Sequence, residues 1–175
     1  MTRRPPTPPR PRDGFTLIEM VVVLAIVAVL AMAAAPLQEM TLRRVKEQAL
    51  REALRSIRSA LDAHRLAVEA GRIARGPDGT PWPASLDVLV QGLPLLDEQG
   101  RPRDDRARLY LLRKLPRDPF AATDPETGAA GPAAQSWGQR ASTSPPSAPA
   151  AGADVFDVFS RAETKALDGS VYRDW

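Results

Sequence analysis

Few side chains in this sequence could carry out catalytic chemistry. The 175 residues contain no cysteine and a single histidine, His64. The composition therefore excludes a disulfide framework, a cysteine nucleophile, a thiolate metal site and a multi-histidine metal site. The sequence also lacks the H-E-x-x-H, G-x-S-x-G and G-x-x-x-x-G-K-[ST] patterns of metalloproteases, serine hydrolases and P-loop nucleotide binders. We expect a protein without enzymatic activity.

One acidic residue lies within a long apolar run. Residues 15–35 read FTLIEMVVVLAIVAVLAMAAA, and Glu19 is their only charged residue. A helix of this length spans about 31 Å, which matches the hydrocarbon core of a bilayer. A secretory signal peptide would have a shorter apolar region of roughly 7–15 residues. We predict a transmembrane helix over 15–36, in which an acidic residue costs on the order of 2–3 kcal/mol.

Basic residues flank this run on both sides. Four arginines precede it within residues 1–14, and Arg43, Arg44 and Lys46 follow it. These counts are too similar to decide the orientation in the membrane. The whole chain carries a net charge of +3, and residues 15–175 contain 20 basic and 20 acidic residues. Because the basic excess is confined to the leader, we expect no nucleic-acid partner.

The start of the apolar run carries a specific motif. A short basic leader ends in Gly14, and G-F-T-L-I-E then opens the run. This motif resembles the class III signal of type IV pilins and type II secretion pseudopilins. The resemblance implies that prepilin peptidase removes the cytoplasmic leader 1–14 by cutting between Gly14 and Phe15, and that the new amine of Phe15 is then methylated. It also implies an N-terminus in the cytoplasm and a head in the periplasm.

Two interpretations of Glu19 remain open. A shallow position near the cytoplasmic end of the anchor would let its carboxylate reach interfacial water. Alternatively, the carboxylate forms an assembly salt bridge with the Phe15 amine of a neighbouring subunit, which is the role that the resemblance to pilins implies. In a medium of low dielectric such a pair is favoured over two unpaired charges. It would also set the axial stagger between neighbouring helices.

An amphipathic pattern follows the apolar run and predicts a spine helix over 37–71. The residues of its apolar stripe are Leu50, Leu54, Ile57, Leu61 and Val68. His64 lies on this stripe and is interpreted as a packing residue. Charged residues, including Glu47 and Arg58, lie off the stripe, and the arginine-rich face is interpreted as solvated. Pro36 predicts a helix kink, which is either a simple bend at the membrane exit or a functional hinge.

Residues 76–175 are predicted to form a small head. A short helix is expected near 82–89, and the valine- and aromatic-rich segment 154–160 is typical of a strand. Between them lies an insert, 121–153, in which Ala, Pro, Gly, Ser and Thr occupy 27 of 33 positions. Such a composition predicts poor order. Trp137 is the expected exception and should dock on the head.

Two parts of the head resemble the G-type, or major, pseudopilins of type II secretion. The segment Lys114–Phe120 reads K-L-P-R-D-P-F and resembles their L-P-x-D-P-aromatic segment. The patterns W-G-x-R, D-V-F-D-V-F-S and A-L-D-G-S-x-Y-x-D-W resemble the tail of a subgroup of them. The resemblance implies an α+β fold. In this fold a long N-terminal helix, with a transmembrane half and an amphipathic half, packs on a small C-terminal head with a short antiparallel sheet.

The resemblance also raises the question of a calcium ion, which many G-type heads hold near this end of the chain. The candidate oxygen donors are Asp157, Ser160, Asp168 and Asp174. Calcium takes roughly 6–8 oxygen ligands, so main-chain carbonyls would have to supply several. The alternative is that Asp168 and Gly169 simply form a turn.

These features favour a structural pseudopilin subunit, which polymerises into the periplasmic pseudopilus that drives export through the type II secretion system. The implied partners are like subunits, other pseudopilins, prepilin peptidase, an inner-membrane platform protein and a cytoplasmic secretion ATPase. The alternative is a type IV or competence pilin. Those proteins frequently carry a disulfide, and this chain has no cysteine.

Overall fold

A computed structural model describes residues 14–104, 106–123 and 129–175, without the side chains of residues 32–37. The predicted leader therefore lies outside the described residues, apart from Gly14. The chain forms two compact units, one that ends at Leu42 and one that spans Arg43–Trp175. The second unit contains the head together with the part of the spine helix that packs on it.

The longest element is helix α1, which runs from Leu17 to Glu69. It ends because Gly71 takes a left-handed backbone conformation, with φ at 68°. The amides of Gly71 and Arg72 then bond to the carbonyls of Val68 and Ala67, at 2.9 Å each. This is a Schellman motif, which satisfies the last carbonyls of a helix.

The N-terminal half of α1 corresponds to the predicted anchor. Helix α1 continues through Pro36, and the kink predicted at this residue stays a prediction. No helix among the described residues has both the length and the apolar character that crossing a membrane requires. The transmembrane helix over 15–36 stays a prediction from the sequence.

In the second unit, α1 packs on the head through the predicted apolar stripe. Leu50, Leu54, Ile57 and Leu61 are at most 2% exposed, and Val68 is 5% exposed. The first four share one core cluster with residues of the head, which include Leu86, Leu89, Trp137, Val155, Val158 and Tyr172. A fully buried large apolar side chain contributes about 1.5–3 kcal/mol. This stripe therefore accounts for much of the attachment between helix and head.

Within the described residues, the head contains one further α-helix and two antiparallel sheets of two strands. Helix α2 spans Val88–Gln91, β1 (Leu93–Pro94) pairs with β2 (Arg108–Leu109), and β3 (Trp137–Arg140) pairs with β4 (Asp157–Ser160). Short 3-10 helices span Pro77–Gly79, Ala133–Ser136 and Tyr172–Asp174. The predicted α+β fold is confirmed, with two short sheets in place of one.

Strand β3 lies inside the insert that the composition predicts to be poorly ordered. Trp137 is fully buried, and Ala141, just after the strand, is 2% exposed. In the register of the sheet, Trp137 faces Ser160 and Arg140 faces Asp157. The expected docking of Trp137 on the head is confirmed. The expectation of poor order is corrected for Gln139 and Arg140, because β4 supplies their hydrogen-bonding partner. Residues 124–128 of the insert lie outside the described residues.

Candidate functional site

The predicted cleavage bond lies just before α1, in a segment without regular structure. Gly14 is exposed, and a Cβ added to it would meet no atom within 4 Å. The side chain of Phe15 is 74% exposed. The bond between these residues is therefore accessible on both sides, which is the geometry that a protease requires. Cleavage and methylation at this bond stay predictions.

The Thr16 side chain caps the N-terminus of α1. The amide of Glu19 donates to Oγ1 of Thr16 at 3.3 Å, and the amide of Met20 donates to the Thr16 carbonyl at 3.2 Å. A threonine followed three residues later by glutamate is the capping-box pattern. The carboxylate also lies at the positive end of the helix dipole. Sequence reasoning missed this cap by Thr16, although the T-x-x-E pattern was visible.

The first helical turns expose a continuous apolar surface. Twelve large apolar side chains between Phe15 and Leu30 are between 44% and 83% exposed. They are Phe15, Leu17, Ile18, Met20, Val21, Val22, Val23, Leu24, Ile26, Val27, Val29 and Leu30. A contiguous apolar surface of this size marks a site of contact with a membrane or with other proteins.

The L-P-x-D-P-F segment is a partly buried connector within the head, in which Leu115 and Asp118 are buried. Oδ2 of Asp118 accepts a hydrogen bond from Oγ of Ser160 at 2.6 Å, and Oδ1 accepts one from the amide of Phe120 at 2.8 Å. Oγ of Ser136 accepts a bond from the amide of Asp118 at 3.1 Å. The ring nitrogen of Trp137 donates to the Pro116 carbonyl at 2.9 Å. The segment thereby joins β3 to β4.

Glu47 fastens segment 165–175 to α1. Its Oε1 accepts hydrogen bonds from the Tyr172 hydroxyl and from the Leu167 amide, both at 2.8 Å. Arg43 donates to the same hydroxyl at 3.3 Å. Glu47 is 6% exposed, so its predicted place off the buried stripe is wrong. The available signal was its spacing, because Glu47 lies three residues before Leu50 and so continues the buried stripe.

His64 is a packing residue, as its position on the stripe predicts. It is 1% exposed, and its Nδ1 lies 2.9 Å from the Pro81 carbonyl. Since a carbonyl only accepts, the proton of the neutral ring is on Nδ1. Burial lowers the pKa of His64 below its ordinary value of 6.5, against the opposing effect of the Pro81 hydrogen bond. The fold therefore favours the neutral ring.

The candidate calcium donors take part in other contacts. Asp157 lies 2.8 Å from Arg58 and 3.4 Å from Arg140, and Ser160 donates to Asp118. Asp168 accepts bonds from the hydroxyl and amide of Ser170 at 2.6 and 2.9 Å, and these bonds lower its pKa. Asp174 is exposed in the last 3-10 helix.

These contacts do not form a calcium site. In the part of the chain that the structure describes, no group of three or more His, Cys, Asp or Glu side chains could hold a metal ion. The amide of Gly169 bonds to the Ala166 carbonyl at 3.0 Å, with φ at 88° for the glycine. Asp168 and Gly169 therefore form the turn that was the alternative interpretation. The residues predicted for calcium do not fit the ion.

Comparison with known proteins gives a match for the N-terminal segment of the chain. Residues 9–35 match the prokaryotic N-terminal methylation motif. No curated protein and no solved structure gives a significant match to the chain. The matched residues include the accessible bond after Gly14, the helix cap at Thr16 and Glu19, and the exposed apolar surface. The motif implies a membrane-anchored N-terminus and indicates a type IV pilin-like protein.

Proposed function

We propose that this chain is a pseudopilin subunit of the type II secretion system. The match of residues 9–35 to the N-terminal methylation motif carries the proposal. The K-L-P-R-D-P-F segment supports the secretion system over a pilus, since it resembles the corresponding segment of G-type pseudopilins. In the head, its Asp118 is almost fully buried and bonds to β4.

In the proposed pathway, prepilin peptidase removes the leader after Gly14, and Phe15 becomes the methylated first residue. The mature chain is held in the bacterial inner membrane by its apolar helix, with the head in the periplasm. It polymerises with like subunits and other pseudopilins, and the platform protein and secretion ATPase drive this assembly. The chain has no catalytic role in the proposal, because the chemistry belongs to these partners.

The exposed apolar side chains of the first helical turns support polymerisation. These side chains are between 44% and 83% exposed in the single chain. Lipid covers this surface before assembly, and neighbouring helices cover it in the fibre. Glu19 then pairs with the methylated amine of a neighbouring Phe15. Methylation keeps the positive charge, so the pair joins opposite charges in low dielectric.

Processing is tested by replacing Gly14 with valine. The added side chain meets no atom of the folded chain, so the helix and the head should be unaffected. The variant should accumulate as the unprocessed, unmethylated precursor, which intact-mass measurement separates from the mature form. Gly14→Ala is the matched control and should be processed to a greater extent. A mature form beginning at Phe15 in Gly14→Val would contradict the assignment of the cleavage site.

Assembly is tested by three variants that separate the charge of Glu19 from the helix cap at Thr16. Glu19→Leu and Glu19→Gln remove the charge and keep the main-chain amide that Thr16 caps, whereas Thr16→Ala removes the cap and keeps the charge. All three should still enter the membrane. If charge pairing drives assembly, both Glu19 variants lose the fibre and protein export, while Thr16→Ala retains them.

The same cells distinguish the proposed system from its alternative. A pseudopilin variant that fails to assemble stops the release of exported proteins into the medium. A type IV or competence pilin variant instead loses surface fibres, or DNA uptake, with export unchanged. Normal assembly of Glu19→Gln would refute the pairing role. It would leave the alternative interpretation, in which the Glu19 carboxylate reaches interfacial water.

A further inference from the structure

The guanidinium of Arg58 gathers oxygens from two separate segments of the head. Its Nε donates to Oδ1 of Asp157 at 2.8 Å. Its Nη2 donates to the main-chain oxygens of Val158 at 3.1 Å and Trp175 at 2.7 Å. Asp157 and Val158 belong to β4, and Trp175 follows the last 3-10 helix. One side chain of α1 thus holds both segments.

This arrangement has the chemistry of a bound cation. A calcium ion in a protein is surrounded by carboxylate and main-chain carbonyl oxygens from loops that it holds together. A guanidinium presents several N–H donors in a rigid plane and keeps its charge at any ordinary pH. The three oxygens on Arg58 comprise one carboxylate and two main-chain oxygens, and both types also occur among the 6–8 oxygens around such an ion.

A second arginine completes the neutralisation of Asp157. Nη2 of Arg140 lies 3.4 Å from Oδ2, so each oxygen of this carboxylate faces one guanidinium. In segment 165–175, the Trp175 ring lies 4.2 Å from the Arg51 guanidinium, which stacks over it. The positive charge that a metal ion would bring to this end of the head is therefore already supplied by arginine side chains.

We propose that Arg58 is a built-in cation that replaces a metal ion in this head. It attaches β4 and segment 165–175 to α1, so the head reaches its full stability without calcium. This proposal explains why the candidate calcium donors do not form a metal site, because Asp157 is already paired with arginine. The inference concerns the stability of the head and does not depend on the proposed function in secretion.

The first test measures thermal unfolding of the full chain in detergent micelles, with excess calcium chloride and with the chelator EDTA. Magnesium chloride serves as the control for ionic strength. We expect the same Tm, within about 1 °C, under all three conditions. A Tm that rises with calcium in a saturable way, and falls with EDTA, would overturn the proposal whatever the activity of the chain.

The second test compares Arg58→Gln with Arg55→Gln, its matched control one turn earlier on α1. Arg55 is exposed and donates to the Arg51 carbonyl of its own helix. Arg58→Gln should lower Tm by at least about 5 °C, which is the order expected when several hydrogen bonds are lost together. It should also speed amide exchange in β4 and in residues 172–175. Arg55→Gln should change neither.

A lysine variant guards against a failure of Arg58→Gln to fold. Arg58→Lys keeps the charge but replaces the planar fork by one ammonium group, which cannot reach all three oxygens in the same geometry. Its Tm should lie between those of the wild type and Arg58→Gln, and calcium should leave it unchanged. If Arg58→Lys and Arg58→Gln both unfold with the wild-type Tm, Arg58 is not the cation that holds this end of the head.

Discussion

Replacement of Asp118 by alanine should strongly destabilise the head. Asp118 is 2% exposed, and its carboxylate accepts the Ser160 hydroxyl at 2.6 Å and the Phe120 amide at 2.8 Å. Ser160 is fully buried. In Asp118→Ala both donors lose their acceptor, the Ser160 hydroxyl in a buried position and the Phe120 amide in a partly buried one. A buried donor left without a partner costs about 1–3 kcal/mol.

The expected loss for Asp118→Ala is about 3–4 kcal/mol. Two orphaned donors would give about 2–6 kcal/mol, and rotation of the Ser160 hydroxyl toward another acceptor places the result below the upper end of that range. For a chain of this size the loss corresponds to a decrease in Tm of about 10 °C. Asp118→Asn keeps an oxygen for the Phe120 amide and should cost only about 1 kcal/mol.

The loss is measured by denaturant unfolding of the full chain, followed by tryptophan fluorescence. Trp137 reports directly on this region, because its ring nitrogen donates to the neighbouring Pro116 carbonyl. A double-mutant cycle with Ser160→Ala should show that the two losses are not additive, since both variants break the same bond. A loss below about 1 kcal/mol for Asp118→Ala, or full additivity in the cycle, would refute this account of the L-P-x-D-P-F segment.

Further predictions concern packing, pH and order. Gly76→Ala should destabilise the head by more than about 2 kcal/mol in the same unfolding assay, because the added Cβ would lie 1.8 Å from the Trp82 carbonyl oxygen. Gly131→Ala is the control and should be tolerated, because its added Cβ would have no atom closer than 4.0 Å. The pKa of His64 is lowered in the folded state. The contribution of His64 to stability is therefore complete above pH 6.5 and is lost as the pH falls from 6.5 through the lowered pKa. His64→Gln should flatten this part of the curve of unfolding free energy against pH. Amide exchange should be slow in β3, residues 137–140, and rapid exchange there would contradict its pairing with β4.

The sequence alone determined the features that depend on local spacing. The apolar stripe of α1 was predicted because residues three and four positions apart share one face of a helix. The motif from Gly14 to Glu19 was readable for the same reason, since all its residues lie within a few positions of one another. The left-handed glycine that ends α1 also follows a local rule, and the predicted end near Gly71 lies within two residues of Glu69.

The tertiary structure decided the roles of polar residues that meet from distant parts of the chain. Arg58 contacts Asp157 across 99 positions, Asp118 contacts Ser160 across 42, and Glu47 contacts Tyr172 across 125. Hydrophobic periodicity shows which face of an element is buried, but it carries no information about which distant polar group lies opposite. A charged residue next to an apolar stripe can be solvated or paired, and the two cases have the same local sequence. Only the tertiary packing buries Glu47, Asp118, Ser160 and Tyr172, and burial makes their hydrogen bonds necessary.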